Sequence, residues 1–136
     1  MSADTPTPAP RVTGIGGVFF KAKDAPALRD WYRRHLGLAL EDWGGMVFRS
    51  HDPAKPDAVA STVWSIFEAE SSYFAPSGTG FMINFRVADL AAVLAQLRAE
   101  GCAVDDKTDS SDFGHFGWVT DPEGNRIELW QPPAGQ

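Results

Sequence analysis

The chain has 136 residues, 43% of them apolar and 22% charged, enough to bury the core of one globular domain. Its net charge of −6 excludes a binder of nucleic-acid backbones, which would cluster Lys and Arg to release counterions. The single Cys102 excludes an internal disulfide and fits a reducing compartment, and no apolar run approaches the ~18 residues of a membrane span, so the chain reads as cytoplasmic.

Residues 1–10 form a Pro-rich, unpatterned stretch that reads as a disordered tail, followed by a single domain over 11–132 and a short tail over 133–136. The domain opens on a strand pattern that ends at Phe19-Phe20-Lys21. Asp24 then suits a helix N-cap, with Pro26 in the first turn, where its missing N–H costs nothing. Leu28, Trp31, Tyr32 and Leu36 fall on one helical stripe that Gly37 closes. Strand patterns follow near 38–43, 45–50 and 62–68, with a Gly44-Gly45 turn and an irregular loop over 51–60. Residues 71–80, rich in Ser, Gly and Pro, read as a linker.

The same order then returns. Ile83-Asn84-Phe85-Arg86 repeats the pattern around Phe19-Phe20-Lys21 at an offset of 65 residues, with Asp89 as the second N-cap. Leu90, Val93, Leu94 and Leu97 form the second stripe and Gly101 the second stop. Strands are expected near 102–107, 115–120 and 126–131, the last two joined by a turn at Asp121-Pro122-Glu123-Gly124-Asn125. Cys102, between helix and strand, reads as a buried thiol. The fold class is therefore α+β: two tandem βαβββ modules, 11–70 and 81–132, curling a mixed sheet around a shared cleft. Sheet edges left open by such modules need covering, and a homodimer, the expected assembly, would cover them.

Strand residues alternate faces, and this decides which side chains can meet. Ile83, Phe85, Val87, Ile127 and Leu129 form the set that belongs under the helices. Met82, Asn84, Arg86, Arg126, Glu128 and Trp130 face the other way, joined through the offset by Gly17, Phe19 and Lys21. A face that carries so many polar groups among aromatics reads as a pocket lining rather than a second core. Glu128 is the candidate catalytic residue, as a general base or an anchor for a ligand; its alternative is a carboxylate paired with Arg126, Lys21 or Arg86. Lys21, Trp64, Asn84, Arg86, Trp118, Arg126 and Trp130 are the candidate ligand-binding residues, the tryptophans by stacking. Parity leaves open whether His115 or its neighbours Phe116 and Trp118 point inward. His35 at a helix end and His51 in a loop read as structural or solvated.

The chain resembles the vicinal-oxygen-chelate superfamily, which includes glyoxalase I, bleomycin-resistance proteins and extradiol dioxygenases. The resemblance covers about 11–132 and rests on the duplicated modules, on Trp31-Tyr32 through Leu36-Gly37-Leu38, on Phe85-Arg86-Val87-Ala88-Asp89-Leu90, and on Asp121 through Leu129. It implies a divalent ion held by first-strand and last-strand side chains of each module. Carried over by position, those ligands fall on Gly17, on Met82, around Val63, Trp64 and Ser65, and on Glu128, so that only Glu128 is kept. The resemblance thus implies a member that binds a small apolar or aromatic, oxygen-bearing molecule with neither metal nor other cofactor. The alternative is a metal-dependent lyase, isomerase or dioxygenase with ligands relocated to Glu68, His115 and Glu128.

Overall fold

The two sequence repeats become two halves of one mixed sheet with both helices on the same face. The computed structural model describes residues 11–52 and 55–134; the tail expected at 1–10 and the end of the tail expected at 133–136 lie outside them. The elements are β1 (Val12–Ala22), α1 (Ala25–Leu36), β2 (Gly45–Asp52), β3 (Lys55–Glu68), β4 (Phe81–Val87), α2 (Leu90–Ala99), β5 (Ala103–Val104), β6 (Asp109–Ser111), β7 (Gly114–Thr120) and β8 (Arg126–Gln131). The strand order is β2-β3-β1-β4-β8-β7-β5, with β6 paired to β7, and the sheet does not close. β1 meets β4 antiparallel at the centre, while β3 runs parallel to β1 and β8 parallel to β4, the relation a duplicated module requires.

Both helices start as their sequences dictate. The carboxylates of Asp24 and Asp89 accept from the amides of Ala27 and Ala92, donors left without an intrahelical partner. Gly37 ends α1 at φ 68°, which a Cβ-bearing residue adopts only at a cost. α2 packs Leu90, Val93 and Leu94 on Val87 and Leu129. α1 covers Ala22 and Ile66 with Ala25, flanked by Leu28 and Tyr32. Its expected stripe is only half used, since Trp31 and Leu36 stay 48% and 59% exposed.

Four expectations are corrected. Residues 38–43 form no strand: Gly44 donates to Glu41 O and Glu41 to Gly45 O, so the backbone closes a local turn instead of joining a neighbour. The stretch 51–60 is not an irregular loop, because β2 and β3 pair as far as His51 with Val59, and beyond a register shift Asp52 with Lys55. Only Ala103 and Val104 pair within the strand expected over 102–107, and Cys102, just before them, is exposed rather than buried.

Candidate functional site

The face opposite the helices carries Glu128, and the local sequence explains how it is reached. In β8, Ile127 and Leu129 go under α2, which turns Glu128 the other way. Glu128 lies beside Asn84 in β4 and opposite Trp118 in β7, and neighbours across strands share a face. It is 1% exposed. One carboxylate oxygen accepts from the Tyr73 hydroxyl and, at 3.1 Å, from Trp118 Nε1; the other accepts from Asn84 Nδ2 at 2.7 Å. Burial pushes the Glu128 carboxyl above its ordinary value of 4.5, against the pull of the three donors. The Tyr73 hydroxyl is pushed up as well, by burial first and by the Glu128 charge second.

Around this polar centre the face is packed. Phe19, Phe74, Met82 and Trp118 form a buried cluster, with Val63, Phe67 and Phe116 against it. The open pocket expected here is therefore filled, chiefly by Tyr73 and Phe74 from the linker between the modules. Phe74 is 0% exposed, and Tyr73 stacks on Phe67 with centroids 5.6 Å apart and 16° between planes. A cavity of about 430 Å³ lies elsewhere, at the start of α1 against Ala22, Lys23, Leu28 and Trp31.

The other basic residues named from sequence line the rim. Arg126 lies 4.7 Å over the Trp118 ring, donates to Tyr73 O, and pairs with Asp105 at 2.9 Å. Lys21 Nζ sits 5.2 Å from the Phe74 ring centre. Arg86 runs towards β3, donating to Ser61 O at 2.7 Å and covering the Trp130 ring at 5.1 Å; burial lowers its pKa. Trp130 in turn stacks on Phe116 and donates to Phe113 O. Glu128 thus takes neutral donors, not the ion pair with Lys21, Arg86 or Arg126 that was its alternative.

Trp64 does not belong to this face. Phe19 pairs with Ser65 as Asn84 pairs with Glu128, so Ser65 is the counterpart of Glu128 and Trp64 points the opposite way, against Phe20 and Tyr32 under α1. His115 is also settled by register. It lies opposite Gln131, whose side chain accepts from the Leu90 amide on the helix side, and it stands exposed beside Ser110. Phe116 and Trp118 are the residues that point inward. Glu68 is exposed and paired with Arg29 at 3.5 Å. The relocated set Glu68, His115 and Glu128 is therefore not brought together, and among the described residues no three His, Cys, Asp or Glu side chains could jointly hold a metal ion. The donor set does not fit a divalent ion: a glycine, a thioether, a serine and one carboxylate whose two oxygens already accept three hydrogen bonds.

Tyr73 and Phe74 count among the aromatic residues in excess of a small core's needs, and they are the two that the ligand-binding set expected from sequence leaves out. An aromatic pair inside a Ser-, Gly- and Pro-rich stretch was the available signal, since a solvated linker has no use for two rings.

A family model for a glyoxalase-like domain matches residues 17–130, and the chain belongs to that family, within the vicinal-oxygen-chelate superfamily. Its fold is similar to that of methylmalonyl-CoA epimerase from Mycobacterium tuberculosis, at TM-score 0.57 and 22% identity over 96% of this chain and 95% of that one. A methylmalonyl-CoA epimerase in complex with methylmalonyl-CoA and NH4+ superposes at TM-score 0.64, with 21% identity over 92% of this chain and 98% of its own. A variant of the Streptomyces coelicolor methylmalonyl-CoA epimerase, in complex with 2-nitronate-propionyl-CoA, gives 0.63 and 21% over 90% and 99%. No curated protein sequence matches the chain. Among the described residues no helix is long and apolar enough to cross a membrane.

Proposed function

We propose that this chain binds a small apolar or aromatic, oxygen-bearing molecule on the concave face without a metal ion. The observation that supports it is the environment of Glu128. At the one retained ligand position, the carboxylate is met by a phenol, an indole and an amide inside an aromatic lining, a set that recognises hydrogen-bonding oxygen and flat rings. Glu128, Asn84 and Trp118 are the binding centre, with Lys21 and Arg126 at the rim and Arg86 and Trp130 flanking. The likeness to acyl-CoA epimerases, at 21–22% identity, is one of fold and lends this chain no substrate.

The test is calorimetric titration of metal-stripped protein with a panel of aromatic alcohols, aldehydes and acids. Saturable heat that disappears in Trp118→Ala, with the variant still folded, is the expected result. Binding that occurs only after a divalent ion is added would overturn the reading. We also propose a homodimer in the cytoplasm. Exposed Ile15 and Phe48 on the helix side and an unclosed sheet support the first part, and a lone exposed thiol supports the second. Light scattering on the eluting peak tests the dimer.

A further inference from the structure

The residue that fills the cleft also describes what the cleft accepts. We propose that the ligand is a phenol and that the side chain of Tyr73 holds its place, swinging out when the ligand enters. This rests on the reading of the concave face as a small-molecule site. The slot is completely specified by its occupant. One wall is Phe67, parallel to the Tyr73 ring; another is Trp118, edge-on at 6.4 Å and 87°. The floor is the Glu128 carboxylate, which takes the phenolic O–H.

Tyr73 is also the one piece of the slot placed to leave. It is 39% exposed, whereas Glu128, Trp118 and Phe74 are buried. It lies on a segment between β3 and β4 that forms neither helix nor strand. Its carbonyl is tied down by Arg126, so the backbone can stay while the side chain rotates about χ1. Once it has turned out, Glu128 has lost a donor in a buried place, and a buried acceptor without its partner costs free energy that an incoming O–H restores. A ligand presenting a carboxylate there would meet a like charge, and one with a bare ring would leave the acceptor unpaired. A phenol meets both demands.

The experiment titrates 4-methylphenol, which is the tyrosine side chain as a free molecule, and toluene, its analogue without the hydroxyl. Both are added to metal-stripped wild type and to Tyr73→Ala, following the Trp118 indole N–H by NMR. The expected result is saturable binding of 4-methylphenol to both proteins, tighter in Tyr73→Ala because the internal competitor is gone. Preference over toluene should be about tenfold or more, the worth of a hydrogen bond to a charged group, and should shrink in Tyr73→Ala combined with Glu128→Gln. Equal binding of toluene and 4-methylphenol by a folded variant would overturn the phenol assignment and leave the small-molecule reading standing. If neither protein takes any aromatic of the wider panel, both readings fall. Should Tyr73→Ala fail to fold, the wild-type titration decides alone, since 4-methylphenol must still displace Tyr73 and outbind toluene there.

Discussion

The backbone of Gly16 lies directly against the amide of Asn84. A Cβ built on Gly16 would stand 2.9 Å from Trp130 Cε3 and 3.1 Å from Arg86 Cγ, and closer still to Asn84 Oδ1. The β1 register shifts here, Ile15 pairing with Phe85 and Gly17 with Asn84, so Gly16 is an extra residue that turns β1's smallest side chains towards the concave face. Glycine, a poor strand former, is kept because Asn84, Arg86 and Trp130 need the room. Gly16→Ala should therefore destabilise the fold by about 1–3 kcal/mol through overpacking. Urea unfolding checks it. A midpoint equal to that of wild type would mean that the three side chains can all give way.

Glu128 sets a pH dependence whose sign follows from its raised pKa. A carboxyl that is harder to ionise in the folded chain contributes stability fully present below the ordinary 4.5, and that stability is lost as pH rises through the higher folded value. Glu128→Gln does not titrate. The introduced amide can still accept from Tyr73 and Trp118, and it can donate to Asn84 Oδ1, a buried acceptor with no hydrogen-bond partner among the described residues, if the Asn84 amide turns over. The stability of wild type relative to Glu128→Gln should consequently be greater at pH 4 than at pH 8. Paired urea midpoints at the two pH values measure this, and a difference that grows with pH would show the three donors outweighing burial.

Phe74 carries the packing of the concave face. Wholly buried among Phe19, Phe67, Met82 and Trp118, it joins the linker to both halves of the sheet. Phe74→Ala should cost about 3–5 kcal/mol, the usual loss for emptying an aromatic site in a core. Thermal or urea unfolding reads it directly. A loss below about 1 kcal/mol would mean that the segment is laid on the sheet without supporting it.

Much of this architecture was legible before folding, and the part that was not has a physical reason. Alternation in β4 and β8 separated Phe85, Val87, Ile127 and Leu129 from Asn84 and Glu128, because a strand buried on one face enforces period 2. Asp24 and Asp89 announced both helices, since a cap acts within three residues of itself. Trp64 goes under α1 by the same alternation: the offset of 65 between the first strands becomes 63 between Ser65 and Glu128, an even shift that keeps Val63 and Ser65 on one face and Trp64 on the other. The filling of the cleft was legible only as two rings in the linker, without the place they take. Tyr73 reaches a carboxylate 55 residues away, a contact made by tertiary structure with no local pattern to record it. The long pairing of β2 with β3 was hidden similarly, Pro53 and Pro56 reading as loop although strand pairing resumes at Lys55.

The equivalence of Ser65 and Glu128 leads to a prediction about metal. The superfamily resemblance implies a divalent site with ligands from both halves, and carried over by position and register those ligands fall on Gly17, Met82, Ser65 and Glu128. A hydroxyl and a thioether bind such ions poorly at neutral pH, and binding through Glu128 would have to displace the hydrogen bonds from Tyr73, Trp118 and Asn84. Protein stripped with chelator and dialysed against nickel, zinc, manganese or ferrous ions under reducing conditions should retain less than about a tenth of an equivalent of any of them. Mass spectrometry of the digested protein provides the measurement. Retention near one equivalent that vanishes in Glu128→Ala would show that the concave face rearranges around an ion, with Tyr73 turned away from the carboxylate, and metal-assisted chemistry would then replace metal-free binding as the function of this chain.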